Sequence, residues 1–364
     1  MRNAVIVNAK RTVIGKKNGV LKHYSPEQLA SFVIHDLTKE LNESVDDIIL
    51  GNTVGPGGNL GRLSALESGL PYMVPGLTVD RQCGSGLEAI RLACHLIQGG
   101  AGDIYIAGGV ESVSTSPFKS RARFSPAYIG DPDMGIAAEN IAEKYRITRE
   151  MQDEFANLSY QRSLDSHEKG YFSDEMVRIA DISFRDEELK PDLNYERMLK
   201  RVSPCFKKNG TVTAGNSCGV NDGAAAVLIM SEDKAKELNL QPILRFVDSS
   251  VIGVDPNYPA SGPIPAVSKL LFKNKLSIED IDLIELNEAF AVKVALFAQA
   301  LSFSYDRINP EGGAIALGHP YGASGAILVT RLFYEAQRLE PNYCISTIGI
   351  GGGLGIAVLW ERII

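Results

Sequence analysis

Cysteine is scarce: the 364 residues carry five, an odd number at no paired spacing. That pattern excludes a disulfide scaffold and suits free thiols in a reducing compartment. Histidine is equally sparse, and none of the five stands at the spacing of a metal-ligand pair, so no metal centre is expected. Basic charge is not in excess either. With 37 Lys+Arg against 44 Asp+Glu the formal net charge is −7, which argues against a nucleic-acid binder or a protein held at an anionic membrane surface. Apolar runs are too short to span a bilayer, and Ala4-Val5-Ile6-Val7 comes too soon for a signal peptide. The expectation is a soluble, cytoplasmic protein without membrane or nucleic-acid partners. At 45% hydrophobic and 22% charged the composition is ordinary globular, with length for two core-forming units. What the chain has in quantity is glycine, 35 residues concentrated around a few stretches.

The first such stretch is Thr78-Val79-Asp80-Arg81-Gln82-Cys83-Gly84-Ser85-Gly86-Leu87. A short apolar strand through Leu77 and Val79 runs into a cysteine flanked by glycines, and an amphipathic helix through Leu87, Ile90, Cys94 and Leu96 follows. A side chain at the turn into a helix N-terminus has backbone N–H groups beneath it and the positive end of the helix dipole behind it. Both favour a thiolate and any oxyanion formed beside it. Gly84 and Gly86 would let the turn be tight and the substrate approach closely. On this stretch alone, a small buried apolar cysteine explains the residues as well as a nucleophile does.

Along the chain, residues 4–8 read as a buried strand, 10–22 as a polar loop, and Ser25-Pro26-Glu27 as the capped start of a helix. Further strands are read at 46–52, 103–110, 224–230 and 243–247, with a helix over 62–70. Strands and helices that alternate in this way predict a largely parallel sheet covered on both faces. Between Pro117 and Cys218 charged and aromatic residues dominate, with helices near 136–145 and 149–169, so the region reads as an insertion suited to gripping a substrate.

The second half repeats the first. Ile281 to Asn287 resembles Val45 to Asn52, and Gly312 to Pro320 stands where the Cys83 turn stood. Gly51 to Cys83 and Asn287 to His319 are both separations of 32. Ser324-Gly325 echoes Ser85-Gly86, and Tyr343 to Ile348 before a triple glycine matches Ile104 to Ala107 before Gly108-Gly109. Duplication about a pseudo-twofold axis makes Cys83 and His319 counterparts that meet near the axis.

Four features, the Cys83 turn, Gly215-Asn216 with Asn221-Asp222-Gly223, Asn287-Glu288-Ala289-Phe290-Ala291, and Gly312 to Gly325 around His319, resemble the thiolase family over nearly the full length. The resemblance implies an α/β fold with a five-layered α-β-α-β-α core of two duplicated halves and an inserted loop domain that binds coenzyme A. The halves would be 1–116 plus 220–241 and 242–364, with the loop domain at 117–219. It implies acyl-CoA and coenzyme A as substrates with no cofactor, and a homodimer or a homotetramer built of dimers.

Carried over by the same resemblance, Cys83 forms an acyl-enzyme and His319 activates its thiol. Asn287 with His319 holds the oxygen of the second substrate, and the backbone N–H groups of Cys83 and Gly351 form the other oxyanion hole. Met134 and Phe206 would wall the ligand, and Ala289 and Phe290 would bind substrate, Phe290 beside the thioester.

Several positions depart from the family pattern. Cys218 in Asn216-Ser217-Cys218-Gly219 replaces a serine expected to contact pantetheine, and a thiol is the weaker donor. Pro191 stands where a basic residue is expected to meet the nucleotide, with Lys190 as its substitute. The segment from Phe118 to Asp133 is short where an assembly loop is usual, which favours a dimer. Above all, Gly349 occupies the place of a second cysteine that exchanges the proton at the substrate α-carbon. Cys344, five positions earlier on the same strand, faces the other way. Three readings follow: a thiolase that condenses or thiolyses short acyl-CoA esters, whose rate Gly349→Cys would raise; an acyltransferase or hydrolase using only the Cys83/His319 half-reaction; and a non-catalytic acyl-CoA-binding relative.

Overall fold

The computed structural model describes residues 2–118 and 120–363. In chain order its elements are β1 (Ala4–Arg11), β2 (Gly15–Lys16), α1 (Pro26–Thr38), β3 (Asp47–Gly51), α2 (Leu60–Glu67), β4 (Gly76–Val79), α3 (Ser85–Gln98) and β5 (Ile104–Glu111). Next come α4 (Met134–Tyr145), α5 (Arg149–Glu168), α6 (Tyr195–Leu199), β6 (Asn221–Ser231), α7 (Glu232–Glu237) and β7 (Leu244–Gly253). The chain ends with α8 (Pro263–Asn274), β8 (Leu283–Leu286), α9 (Ala291–Leu301), α10 (Ala314–Leu317), α11 (Tyr321–Leu339), β9 (Tyr343–Ile350) and β10 (Leu354–Arg362). No described helix is long and apolar enough to cross a membrane.

The strands follow one hydrogen-bonded path, β4-β3-β5-β6-β1-β7-β10-β9-β8. Its middle joint is slight, with Val5 paired to Arg245 and Ile6 to Leu244. On either side the order reads alike, and Ile308, bridged to Ile284 beyond β8, stands where β4 stands in the first half. The duplication read from sequence is therefore a duplication of topology. Five layers result: α1 and α2 outside the first half-sheet, α3 and α11 between the two, and α8 outside the second.

The sheet is not largely parallel. Among the described residues only β3–β4, β3–β5 and β8–β9 run parallel. β6 lies antiparallel between β5 and β1, and β10 antiparallel between β9 and β7. The reason is connectivity. A parallel pair needs a crossover, usually a helix, whereas β9 and β10 join through Gly351-Gly352-Gly353, with Gly352 and Gly353 at φ 85° and 80°. Similarly, β5 and β6 are separated by the long 112–220 segment, which leaves and re-enters at the same end of the sheet.

The two central helices cross where the repeat places counterpart glycines. A Cβ on Gly86 would lie 2.7 Å from the Gly322 carbonyl oxygen, and one on Gly325 would lie 2.4 Å from the Leu87 nitrogen. Any larger residue would force the helices, and the turns that precede them, apart.

The 10–22 segment is also less of a surface loop than its polarity suggests. Arg11 is fully buried, bonded through Nε to Glu175 at 2.7 Å and through both terminal nitrogens to Asp186 at 2.8 and 3.0 Å. These carboxylates belong to the segment between α5 and α6, so a buried charge cluster ties it to β1.

Candidate active site

Strand β4 ends at Val79, and the chain turns through Asp80–Gly84 into α3. The strained residue of the turn is Gln82, at φ 48°, and not a glycine; Gly84 has φ −84°. A non-glycine residue in the left-handed region is costly and persists where its surroundings hold it. Here the Gln82 carbonyl accepts from Ser85 Oγ at 2.6 Å and Thr53 Oγ1 at 3.2 Å, while Ser85 Oγ accepts from Arg81 N at 2.8 Å. The result presents Cys83 one residue before the helix cap. Burial pushes its thiol up to about 11, opposed by Lys293 and by the backbone N–H groups of Cys83 and Gly351, which lie against the sulfur.

His319 is buried between α10 and α11. Its backbone N–H donates to Asn221 Oδ1 at 2.9 Å, so the Asn-Asp-Gly stretch at the start of β6 locates the histidine. Nδ1 meets Ser324 Oγ at 2.5 Å and Asn287 Nδ2 at 3.3 Å. Ser324 Oγ also donates to the Pro320 carbonyl at 3.0 Å, so Nδ1 is the nitrogen that donates to Ser324. Nε2 is then the free lone pair. Burial, then the neighbouring Lys293, lowers the imidazole to about 3, so it is neutral across the physiological range.

Asn287 follows β8 and is held by its N–H to the Thr347 carbonyl at 3.1 Å. Its neighbour Glu288 points away and accepts from Asn309 Nδ2 at 2.7 Å, Ser159 Oγ at 2.7 Å and Ile315 N at 3.1 Å, pinning α5 and α10 to the Asn287 loop. Cys218 is joined to this loop through its N–H to the Ala289 carbonyl at 3.0 Å, and Ser217 bridges to Phe290. Phe290 meets Phe206 edge-on with ring centroids 6.1 Å apart. The Phe206 ring in turn covers Gly135, next to half-buried Met134, at the start of α4. The sequence candidates thus fall into two adjoining groups: Cys83, Asn287, His319 and Gly351, and the wall of Met134, Phe206, Cys218, Ala289 and Phe290.

Gly349 has its own constraint. A Cβ there would stand 3.1 Å from both the Pro259 carbonyl oxygen and Pro263 Cδ, tighter than ordinary contact. A cysteine at 349 therefore needs the Pro259 carbonyl and the Pro263 ring to give by a few tenths of an ångström. Cys344 is fully buried at the far end of β9, opposite Leu283 and Trp360.

Three residues were missed in the sequence. Phe124, stacked under Arg121 at 4.7 Å, lays its ring on Gly351, where an added Cβ would be 2.9 Å from the ring. Glu111, at the end of β5, accepts from Asn52 Nδ2, Thr53 N, Val54 N and Gly322 N at 2.9–3.1 Å and so fixes the start of α11 to the first half. Burial raises this carboxyl to about 7. Lys293, in the first turn of α9, is buried with Nζ 3.0 Å from Asn287 Oδ1, and burial lowers it to about 8. Its signal was present: it is the one charged residue in Ala291–Leu301. Among the described residues no group of His, Cys, Asp and Glu is placed to hold a metal ion.

Fold and site define a duplicated α/β core that presents a cysteine at a strained strand-to-helix turn beside a buried histidine. The thiolase N-terminal domain matches residues 4–233 and the thiolase C-terminal domain residues 240–362. A Bacillus subtilis protein, "Putative acetyl-CoA C-acetyltransferase YhfS", is 55% identical over 99% of both chains. The crystal structure of the Bacillus anthracis acetyl-CoA acetyltransferase superposes with a TM-score of 0.94 at 38% identity, over 100% of this chain and 99% of that one. Human mitochondrial 3-ketoacyl-CoA thiolase in complex with CoA superposes at 0.92 and 37% identity, over 100% and 98%. The chain belongs to the thiolase family.

Proposed function

We propose that the protein is a thiolase-type C-acyltransferase that condenses or thiolyses short acyl-CoA esters through an acyl-enzyme on Cys83. The observation that carries the reading is the thiol at the N-terminus of α3 with the N–H groups of Cys83 and Gly351 against it. Donors in that position stabilise both the thiolate and the oxyanion of the acyl carbonyl. Neutral His319 accepts the thiol proton at Nε2, and Asn287 with His319 orients the oxygen of the second thioester. Coenzyme A esters are the substrates, with no cofactor. The relative's name and the CoA complex of a similar structure support this.

The inserted segment 117–219 would grip coenzyme A with the wall of Met134, Phe206 and Cys218, joined by Ala289 and Phe290. A homodimer is the expected assembly, supported by the exposed apolar residues Leu63 and Leu66 on α2, Tyr72 and Met73 on the connection that follows, and Leu77 on the edge strand β4.

Intact-mass analysis after mixing with acetyl-CoA should show an acetyl adduct that Cys83→Ser lacks. Absence of an adduct in the parent protein would sink the proposal. Glycine at 349, with no side chain to titrate, favours a second reading, an acyltransferase or hydrolase using the half-reaction alone. Acetoacetyl-CoA with free coenzyme A separates the two, since only the thiolase reading yields acetyl-CoA.

A further inference from the structure

Carbon–carbon bond formation requires a group that takes a proton from the α-carbon of one thioester, and position 349 has no side chain to do so. Five other titratable groups stand around the pocket: Glu111, Cys218, His319, Tyr321 and Lys293, of which the Tyr321 phenol, its ring 5.2 Å from His319, is raised by burial far enough to keep its proton. Both Glu111 oxygens are engaged by four N–H donors. Burial pushes the Cys218 thiol up to about 12, and His319 is already committed to the Cys83 thiol proton and to the oxygen of the second thioester. Lys293 remains. It is 2% exposed, and among the described residues it makes no ion pair and one hydrogen bond, to Asn287 Oδ1 at 3.0 Å. The nearest carboxylate on its own segment, Glu288, is occupied by Asn309, Ser159 and Ile315. From the elements packed around it Lys293 faces Cys83 at the α3 turn, Cys218 ahead of β6 and His319 ahead of α11.

We propose that Lys293 is the general acid–base of the carbon–carbon bond step, in place of the absent cysteine. The inference rests on the acyl-enzyme reading. With Cys83 acylated, the second thioester has its oxygen beside Asn287 and His319, and the Lys293 amine lies one hydrogen bond from Asn287. The neutral amine takes the α-proton, and the C–H electron pair becomes the enolate. The enolate carbon bonds to the acyl carbonyl carbon, the C–S bond breaks, and its electrons leave on Cys83 as thiolate. The Lys293 ammonium then returns its proton to that thiolate, restoring both groups. Thiolysis runs the same steps in reverse. A buried amine without a carboxylate suits this part, because its pKa falls toward the working pH where acid–base catalysis is most effective.

The test separates the half-reactions. Acetyl-CoA is incubated with the full-length enzyme in D2O, deuterium in its methyl group is followed by mass spectrometry, and the Cys83 adduct is measured in parallel. The parent should show both. Lys293→Gln, which keeps a donor to Asn287, should keep the adduct and lose deuterium exchange by about 10²–10⁴-fold. In Lys293→Ala, added methylamine should restore part of the exchange, a response that a purely structural role would not give. The parent's exchange rate should rise with pH through a limb near 8 that Lys293→Gln lacks. Exchange in Lys293→Gln within threefold of the parent overturns the proposal. So does loss of exchange in Cys218→Ser with retention in Lys293→Gln, which transfers the role to Cys218. A parent that forms the adduct without exchanging deuterium overturns this inference alone, whereas a parent without an adduct overturns the acyl-enzyme reading and this inference with it.

Discussion

Two of the buried cations, Arg331 and Lys293, sit under opposite conditions. Arg331, on α11, is surrounded by carboxylates, with Glu175 at 3.4 Å, Glu311 at 3.6 Å and Glu335 at 3.8 Å. Burial works against its charge, but Glu175, Glu285, Glu335 and Glu311 together outweigh burial and hold it charged. Lys293 is as deeply buried and has an amide oxygen as its single partner among the described residues, so burial wins and the amine falls to about 8. A compensated charge is a cross-link: through Glu175 the Arg331 and Arg11 cluster ties the inserted segment to both halves of the core. An uncompensated one is a poised proton acceptor, held at a cost in stability. Such departures from a fully satisfied interior are expected where function is located.

Removing each cation should break the comparison in opposite directions. Arg331→Met strands buried carboxylates and should destabilise by about 3–5 kcal/mol, read from urea unfolding at pH 7. A loss under 1 kcal/mol would show that the cluster does not hold the fold. Lys293→Met should instead stabilise, by about 3 kcal/mol at pH 7, because the lysine's fall from 10.5 to about 8 is a folding penalty. The pH dependence has a definite sign. Between about 8 and 10.5 the unfolded chain binds a proton that the folded chain has released, so the parent gains stability as pH rises through that window. Below about 8 the penalty is complete. Lys293→Met should lack the rise, and a variant that tracks the parent across it would show the amine to be compensated.

What could be read in the sequence follows the same division between local and long-range causes. The Cys83 turn was legible because a strand, a turn and a helix start announce themselves within ten residues. His319 and Asn287 were legible because duplication repeats a spacing of 32. α4 and α5 were legible as helix-like segments near 136–145 and 149–169. Strand direction was not, since the antiparallel placement of β6 depends on where a long insertion returns to the sheet. Glu111 and Phe124 were hidden for a related reason, as their partners lie more than 200 positions away at Gly322 and Gly351. Lys293 was visible as one charge in an apolar helix. What that charge faced was not, and a lysine on a helix is usually solvated.

The smallest expected effect sharpens the comparison at the position where chemistry is missing. If Gly349 were only a lost cysteine, Gly349→Cys would restore a thiol and raise turnover at no structural cost. A Cβ there meets the Pro259 carbonyl and Pro263 Cδ at 3.1 Å, so both neighbours must give by a few tenths of an ångström to admit it. Overpacking of this kind typically costs about 1–3 kcal/mol, so Gly349→Cys and Gly349→Ala should lower the thermal midpoint by similar amounts. The shared loss would identify the Cβ, not the sulfur, as its cause. Turnover with acetoacetyl-CoA should not rise in Gly349→Cys, and it should stay low when Lys293→Gln is added. Recovery of turnover in that double variant would mean that a thiol at 349 reaches the α-carbon after all, and that the amine and the absent thiol are interchangeable solutions to one proton transfer.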